Sequence, residues 1–218
     1  LFVGDGMGVP TITSGRWFAG ELAGTGNSEG HALHFEQFPN LSLIKTYNVD
    51  AQTPDSAGTM SAIVTGVKTD AGILSLAAGV EKGDCASAEG QHVETLLEQL
   101  EARGWATGVV STATLTHATP AANYAHAADR GWENDTRIPK DQRGLGCTDI
   151  AQQLIEFGIG DGLEVAMGGG RANFLPAETA DPEFPARTGL RLDGRNLAAE
   201  WASREGAEWG WNTRDFDA

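Results

Sequence analysis

Lysine is scarce in this chain. There are four (Lys45, Lys68, Lys82 and Lys140) among fifteen basic residues, which face thirty acidic ones for a formal net charge of −15. A field of that sign repels phosphate backbones and argues against non-specific nucleic acid binding. An acidic, lysine-poor surface suits a protein that works in salt, where screening relieves self-repulsion. No apolar run reaches the roughly eighteen residues of a membrane-spanning helix, so no span is read. Cysteine is also nearly absent: Cys85 and Cys147 are too few for a disulfide scaffold and lack zinc-finger spacing. They read as two buried thiols or, if joined, as a loop closure contributing on the order of 4 kcal/mol in an oxidising compartment. No basic-then-apolar segment opens the chain, so no export signal is read. Leu1 falls inside what reads as a strand, and both ends read as unfinished.

What is present is an ordinary globular balance, 40% hydrophobic and 21% charged. Short β-rich apolar runs alternate with helical periodicity, the pattern of an α/β fold whose mostly parallel sheet is flanked by helices. Strands are predicted at residues 1–3, 41–46, 106–111 and 163–167. Across residues 89–103, Val93, Leu96, Leu97 and Leu100 recur at helical spacing. A helix after Cys147 places Ile150, Leu154 and Phe157 on one face, and a short one covers residues 196–204. Thr119-Pro120 reads as an N-cap with proline in the first helical position. Residues 171–193, rich in proline and charge, read as a surface loop. Repeats and low-complexity tracts are absent.

Three segments carry chemistry. Gly4-Asp5-Gly6-Met7-Gly8 follows the first predicted strand, but Val9 stands where a dinucleotide fingerprint needs its last glycine. What remains is a carboxylate at a strand end, suited to a cation or equally to a capped turn. Thr53-Pro54-Asp55-Ser56-Ala57 puts Ser56 at a helix N-terminus, where N–H groups favour an alkoxide or a phosphate. There is no Gly-x-Ser-x-Gly elbow, so an α/β-hydrolase is unsupported. His117-Ala118-Thr119-Pro120 offers an imidazole and a hydroxyl to a metal, and Arg130, read at the end of the helix that follows, offers a fork for phosphate oxygens. Taken singly, each segment also reads as capping.

In this order the three segments resemble the alkaline phosphatases, with Pro54-Asp55-Ser56 the most specific element. Lys45-Thr46-Tyr47-Asn48 and Gly168-Gly169-Gly170-Arg171 are further landmarks, and the animal-type and marine bacterial branches are the most similar. The resemblance implies a phosphomonoester hydrolase in which Ser56 attacks phosphorus and a zinc-activated water hydrolyses the phosphoserine. It also implies that Asp5 bridges a zinc and the magnesium site, that Thr119 ligates magnesium, and that His117 acts there through a bound water. Arg130 would grip phosphate and Asp55 would orient it. Cys85 and Cys147 correspond to a disulfide of animal-type members, which implies a periplasmic or secreted protein, and a homodimer is the family's habit.

The family's remaining ligands (an Asp with a His four residues on, an Asp-His pair, another His and a Glu) have no counterpart here. His31, His34 and His92 form no Asp-His pair, and His126, read within the helix after Thr119, packs or caps. Residues 1–218 therefore read as the N-terminal part of one α/β domain of this type, inactive alone. A sulfatase is disfavoured because Gly58 and Met60 stand where its Pro and Arg belong, and a phosphodiesterase because the nucleophile position holds Ser56 rather than Thr. A non-catalytic binding module is the alternative outside enzymes. The sequons at Asn40 and Asn134 read as unmodified, and the six tryptophans as core or loop anchors.

Overall fold

The computed structural model describes residues 1–25 and 28–216, in two compact units, Leu1–Thr46 and Tyr47–Ala218. In the first, the turn through Gly4 and Gly8 needs a left-handed Gly6 (φ 66°), and helix α1, Val9–Leu22, begins with Pro10 in its first turn. Proline fits there because that N–H has no intrahelical partner. Arg16 of α1 pairs with Glu29 and Glu36. Residues 1–3 and 41–46 form no strand, contrary to the sequence expectation. Leu41 and Leu43 are each 94% exposed, and neither segment is paired with a neighbouring strand among the described residues. An apolar run becomes a strand only where such a partner takes up its N–H and C=O groups.

The second unit contains helices α2 (Ser56–Thr65), α3 (Cys85–Ala88) and α4 (Leu96–Glu101), then strand β1 (Gly108–Thr114) and helix α5 (Ala118–Ala121). Helix α6 (Ile150–Ile155), strand β2 (Val165–Gly169), α7 (Leu197–Ala202) and α8 (Thr213–Phe216) complete it. β1 and β2 pair in parallel, Gly108 opposite Val165 and Val110 opposite Met167, with an irregularity before Thr114 meets Gly169. α6 lies in the crossover between them, so the α/β class stands, and both strands run about two residues later than predicted. The main core joins Ala57, Met60 and Val64 of α2 to Ala118 and Ala121 of α5 and to Ile150 and Leu154 of α6. Alanine at 118, 121, 122, 125 and 127 lets these backbones approach closely. A second cluster packs Ile73, Leu76, Val80, Trp132 and Ile138 around Cys85, with Cys147 against it, and a disulfide joins the two cysteines (Cα–Cα 5.7 Å).

Several expectations are corrected. The helix of residues 89–103 is only α4, because Thr95 and Glu98 form a capping box that fixes its start. Val93 instead gives its N–H to the Ser75 carbonyl in an extended segment. At α5 the N-cap is His117, so Thr119 and Pro120 lie inside the first turn. α5 is a single turn, so neither His126 nor Arg130 lies on it, and Arg130 is pinned in a later turn by its N–H to the Gly72 carbonyl. Residues 171–193 are not merely surface. Phe174 and Leu175 join the core, and Arg191, fully buried, pairs with Asp149 and Asp193. Its charge is met internally, a pairing that composition does not reveal. Trp132 is core while Trp105 is 63% exposed, so the tryptophans play mixed parts. Asn134 is buried and bonded to Thr136 and Asn173, which leaves no room for a glycan.

Candidate active site

The site grows from the start of α2. Asp55 has extended backbone (φ −114°, ψ 138°), and its Oδ2 accepts the N–H of Ala57 at 3.0 Å, capping the helix. The same oxygen accepts the Gly72 N–H at 2.8 Å. Ser56 is thereby fixed as the first helical residue, and Ala57, Met60 and Val64 bury the face behind it. Gly58 is obligatory for close packing: a Cβ there would lie 2.9 Å from Asn48 Oδ1 and 3.0 Å from the Asp70 carbonyl oxygen.

Arg130 draws the set together. Its Nη1 donates to Asp55 Oδ1 at 2.6 Å and to Ser56 Oγ at 2.7 Å, while Nη2 donates to His117 Nε2 at 2.9 Å. Burial works against the Asp55 charge, but the hydrogen bonds from Arg130 and Gly72 outweigh it and hold the carboxyl below its ordinary range. A guanidinium has only donors, so His117 Nε2 must accept and the ring is neutral with its proton on Nδ1. That Nδ1 is buried and has no hydrogen-bond partner. Chemically, the arrangement offers a hydroxyl at a helix N-terminus beside a fixed cation, where a tetrahedral oxyanion gains from both.

The structure thus brings Ser56, Asp55, His117 and Arg130 around one guanidinium. Thr119 follows two residues after His117 on the same turn, where its carbonyl accepts from Asn123 Nδ2. Asp5 belongs to the first unit, in the turn before α1. Sequence reasoning missed Gly72, whose N–H holds Asp55 and whose carbonyl holds Arg130. Only its left-handed backbone (φ 83°) sets it apart, a property that a lone glycine in sequence does not disclose. It also missed Glu133, which accepts from Thr114, Thr116 and Asn173 behind β1.

A catalytic zinc needs about three protein ligands. Among the described residues no group of three or more His, Cys, Asp or Glu side chains is placed to hold a metal ion. With Nε2 engaged by Arg130 and the proton on Nδ1, His117 shows no lone pair to a cation in this arrangement. These residues alone do not fit a complete zinc site.

The alkaline phosphatase family model matches residues 1–218. The chain is similar to an alkaline phosphatase of Gadus morhua, 42% identical over 222 residues, covering 99% of this chain and 46% of the relative. The tissue-nonspecific isozyme of Gallus gallus is 42% identical over 223 residues, with 99% and 42% covered. Among solved structures, an alkaline phosphatase from the Antarctic bacterium TAB5 matches with a TM-score of 0.56 at 26% identity, covering 84% of this chain and 41% of that one. That of Thermus thermophilus gives 0.57 at 29%, with 86% and 32% covered. A TAB5 variant described with Mg bound in its M3 site gives 0.52 at 28%, with 72% and 37% covered. The chain spans less than half the length of these relatives.

Proposed function

This chain belongs to the alkaline phosphatase family, and we propose that it supplies the nucleophile and the phosphate-gripping arginine of a phosphomonoester hydrolase. Ser56 Oγ attacks phosphorus, and its hydroxyl proton passes through solvent to the departing alkoxide. The new Oγ–P bond forms while the P–O bond to the alcohol breaks, leaving a phosphoserine that water then hydrolyses to phosphate. Arg130 meets the charge on the non-bridging oxygens, and Asp55 holds the guanidinium in place. The α2 N-terminus lowers the energy of the developing alkoxide. The carrying observation is the Arg130 guanidinium, 2.7 Å from Ser56 Oγ while anchored at 2.6 Å on Asp55.

Metal dependence enters through the family and through the magnesium named for one structural neighbour. By the family resemblance, Asp5, Ser56 and Thr119 would be donors to the metals and His117 would act through a bound water. Zinc would supply an activated water for hydrolysis of the phosphoserine. Further zinc and magnesium ligands must come from outside residues 1–218, so the chain is read as the N-terminal part of a longer domain, inactive by itself. No helix of the described residues is long and apolar enough to cross a membrane. The Cys85–Cys147 disulfide supports a secreted or periplasmic setting. A homodimer is the family expectation, checked by sedimentation of the full-length protein.

The test is hydrolysis of a chromogenic aryl phosphate by the full-length protein and by Ser56→Ala. Activity that vanishes in the variant supports the reading. Undiminished hydrolysis by the variant refutes Ser56 as nucleophile, and an inactive parent refutes the phosphatase.

A further inference from the structure

Behind the site, residues 72–76 form a strap that bonds Asp55 and Arg130 and the helices that carry Ser56 and His117. Gly72 holds Asp55 and Arg130, and Leu74 and Ala127 exchange both backbone hydrogen bonds. Ser75 ties the strap down. It has a left-handed backbone (φ 46°), the sole such non-glycine among the described residues, and is 1% exposed. Such a conformation persists only where its surroundings enforce it. Its N–H donates to Ser61 Oγ at 2.8 Å, and Ser61 Oγ in turn donates to the Ala57 carbonyl, one residue beyond Ser56. Its own hydroxyl donates to the Ala122 carbonyl, where α5 ends.

The Ser75 carbonyl accepts from Val93 N–H and from His126 Nδ1 at 2.7 Å. A carbonyl only accepts, so Nδ1 carries a hydrogen. His126 Nε2 lies 2.9 Å from Glu98 Oε1, and Glu98 Oε2 accepts the Thr95 N–H. Both ring nitrogens therefore face acceptors, so the protonated ring is an imidazolium paired with a carboxylate, each side chain 9% exposed. His92 stacks flat on it, centroids 4.4 Å apart at 7°. From α6, the neutral Gln153 bonds the backbone N–H and C=O of His126.

We propose that His126, held between Glu98 and the Ser75 carbonyl, is a positioning residue that fixes the strap and, through it, Ser56, Asp55 and Arg130. This rests on the reading of Ser56 as nucleophile. Burial disfavours the His126 charge, but Glu98 outweighs it and raises the ring above the ordinary imidazole range, while burial and the His126 charge lower His92. Above its raised pKa, His126 turns a lone pair on the Glu98 carboxylate, and that contact fails.

The experiment measures kcat and KM for an aryl phosphate on full-length His126→Ala, His126→Asn and Glu98→Gln, per folded molecule and across pH. A misplacement of the reacting groups should lower kcat/KM of His126→Ala roughly ten- to a hundredfold. His126→Asn, whose amide can still donate to Ser75 but cannot reach Glu98, should recover part of it. Glu98→Gln keeps the Thr95 cap through its oxygen and can donate its NH2 to a neutral His126. The ratio of its kcat/KM to that of the parent should therefore rise with pH on the alkaline side. A pH-independent ratio overturns the proposal, as does wild-type turnover per folded His126→Ala molecule. Should His126→Ala not fold, the Glu98→Gln ratio alone decides. Full activity in Ser56→Ala would instead remove the nucleophile reading on which the proposal stands.

Discussion

Asp55 does two separable things: it caps α2, and it anchors Arg130. Asparagine keeps an oxygen that can accept from Ala57 and Gly72, and it is itself a good N-cap. Its NH2 would then face the Arg130 guanidinium, so the charged bond at 2.6 Å is lost. Alanine loses everything. The cap is worth about 1 kcal/mol, the Gly72 bond about 1 and the partly exposed charged bond no more than about 1. Asp55→Ala should therefore lose about 3 kcal/mol and Asp55→Asn about 1. For the longer full-length protein, whose unfolding entropy grows with its size, that corresponds to a Tm lower by roughly 3–6 °C and 1–2 °C respectively. Activity should not follow that order. Both variants leave Arg130 without its anchor, so both should lose on the order of a hundredfold in kcat/KM. The assay is thermal unfolding of the full-length protein alongside aryl phosphate hydrolysis. Asp55→Asn hydrolysing at the parent's rate would refute the anchoring role.

Gly58→Ala should destabilise by about 1–3 kcal/mol in urea unfolding, because its Cβ would meet the Asp70 backbone as well as the Asn48 side chain. Reduction of Cys85–Cys147, which closes a separation of 62 residues, should cost about 4 kcal/mol, read as a fall in the urea midpoint with dithiothreitol. The His126–Glu98 pair should make stability pH-dependent. The His126 pKa is raised in the folded state, so its contribution is complete below the unfolded value of about 6.5 and is lost as pH rises through the folded value. Unfolding of the parent against Glu98→Gln, followed over alkaline pH, checks that sign.

Much of this was legible in residue order. β1 and β2 were foreseen within about two residues, and their parallel pairing follows from helices lying between apolar runs. Ser56 at a helix start could be read from Asp55, whose side chain caps it. The strap at residues 72–76 was not legible, because its role rests on the backbone N–H and C=O of Gly72 and on the unusual φ of Ser75, which residue order does not disclose. His126 was misread as helical because α5 stops after one turn, and the carboxylate that charges its ring lies 28 positions away. Residues 1–3 and 41–46 failed as strands for a different reason: apolar composition allows pairing but does not supply a partner.

Ser56 as the residue that carries phosphate is tested most directly by quenching the full-length protein in acid during turnover of an aryl phosphate and mapping the phosphorylated peptide. The expected result is a single phosphoryl adduct on Ser56, absent from Ser56→Ala. An adduct on another residue, or turnover in Ser56→Ala with none at all, would contradict it.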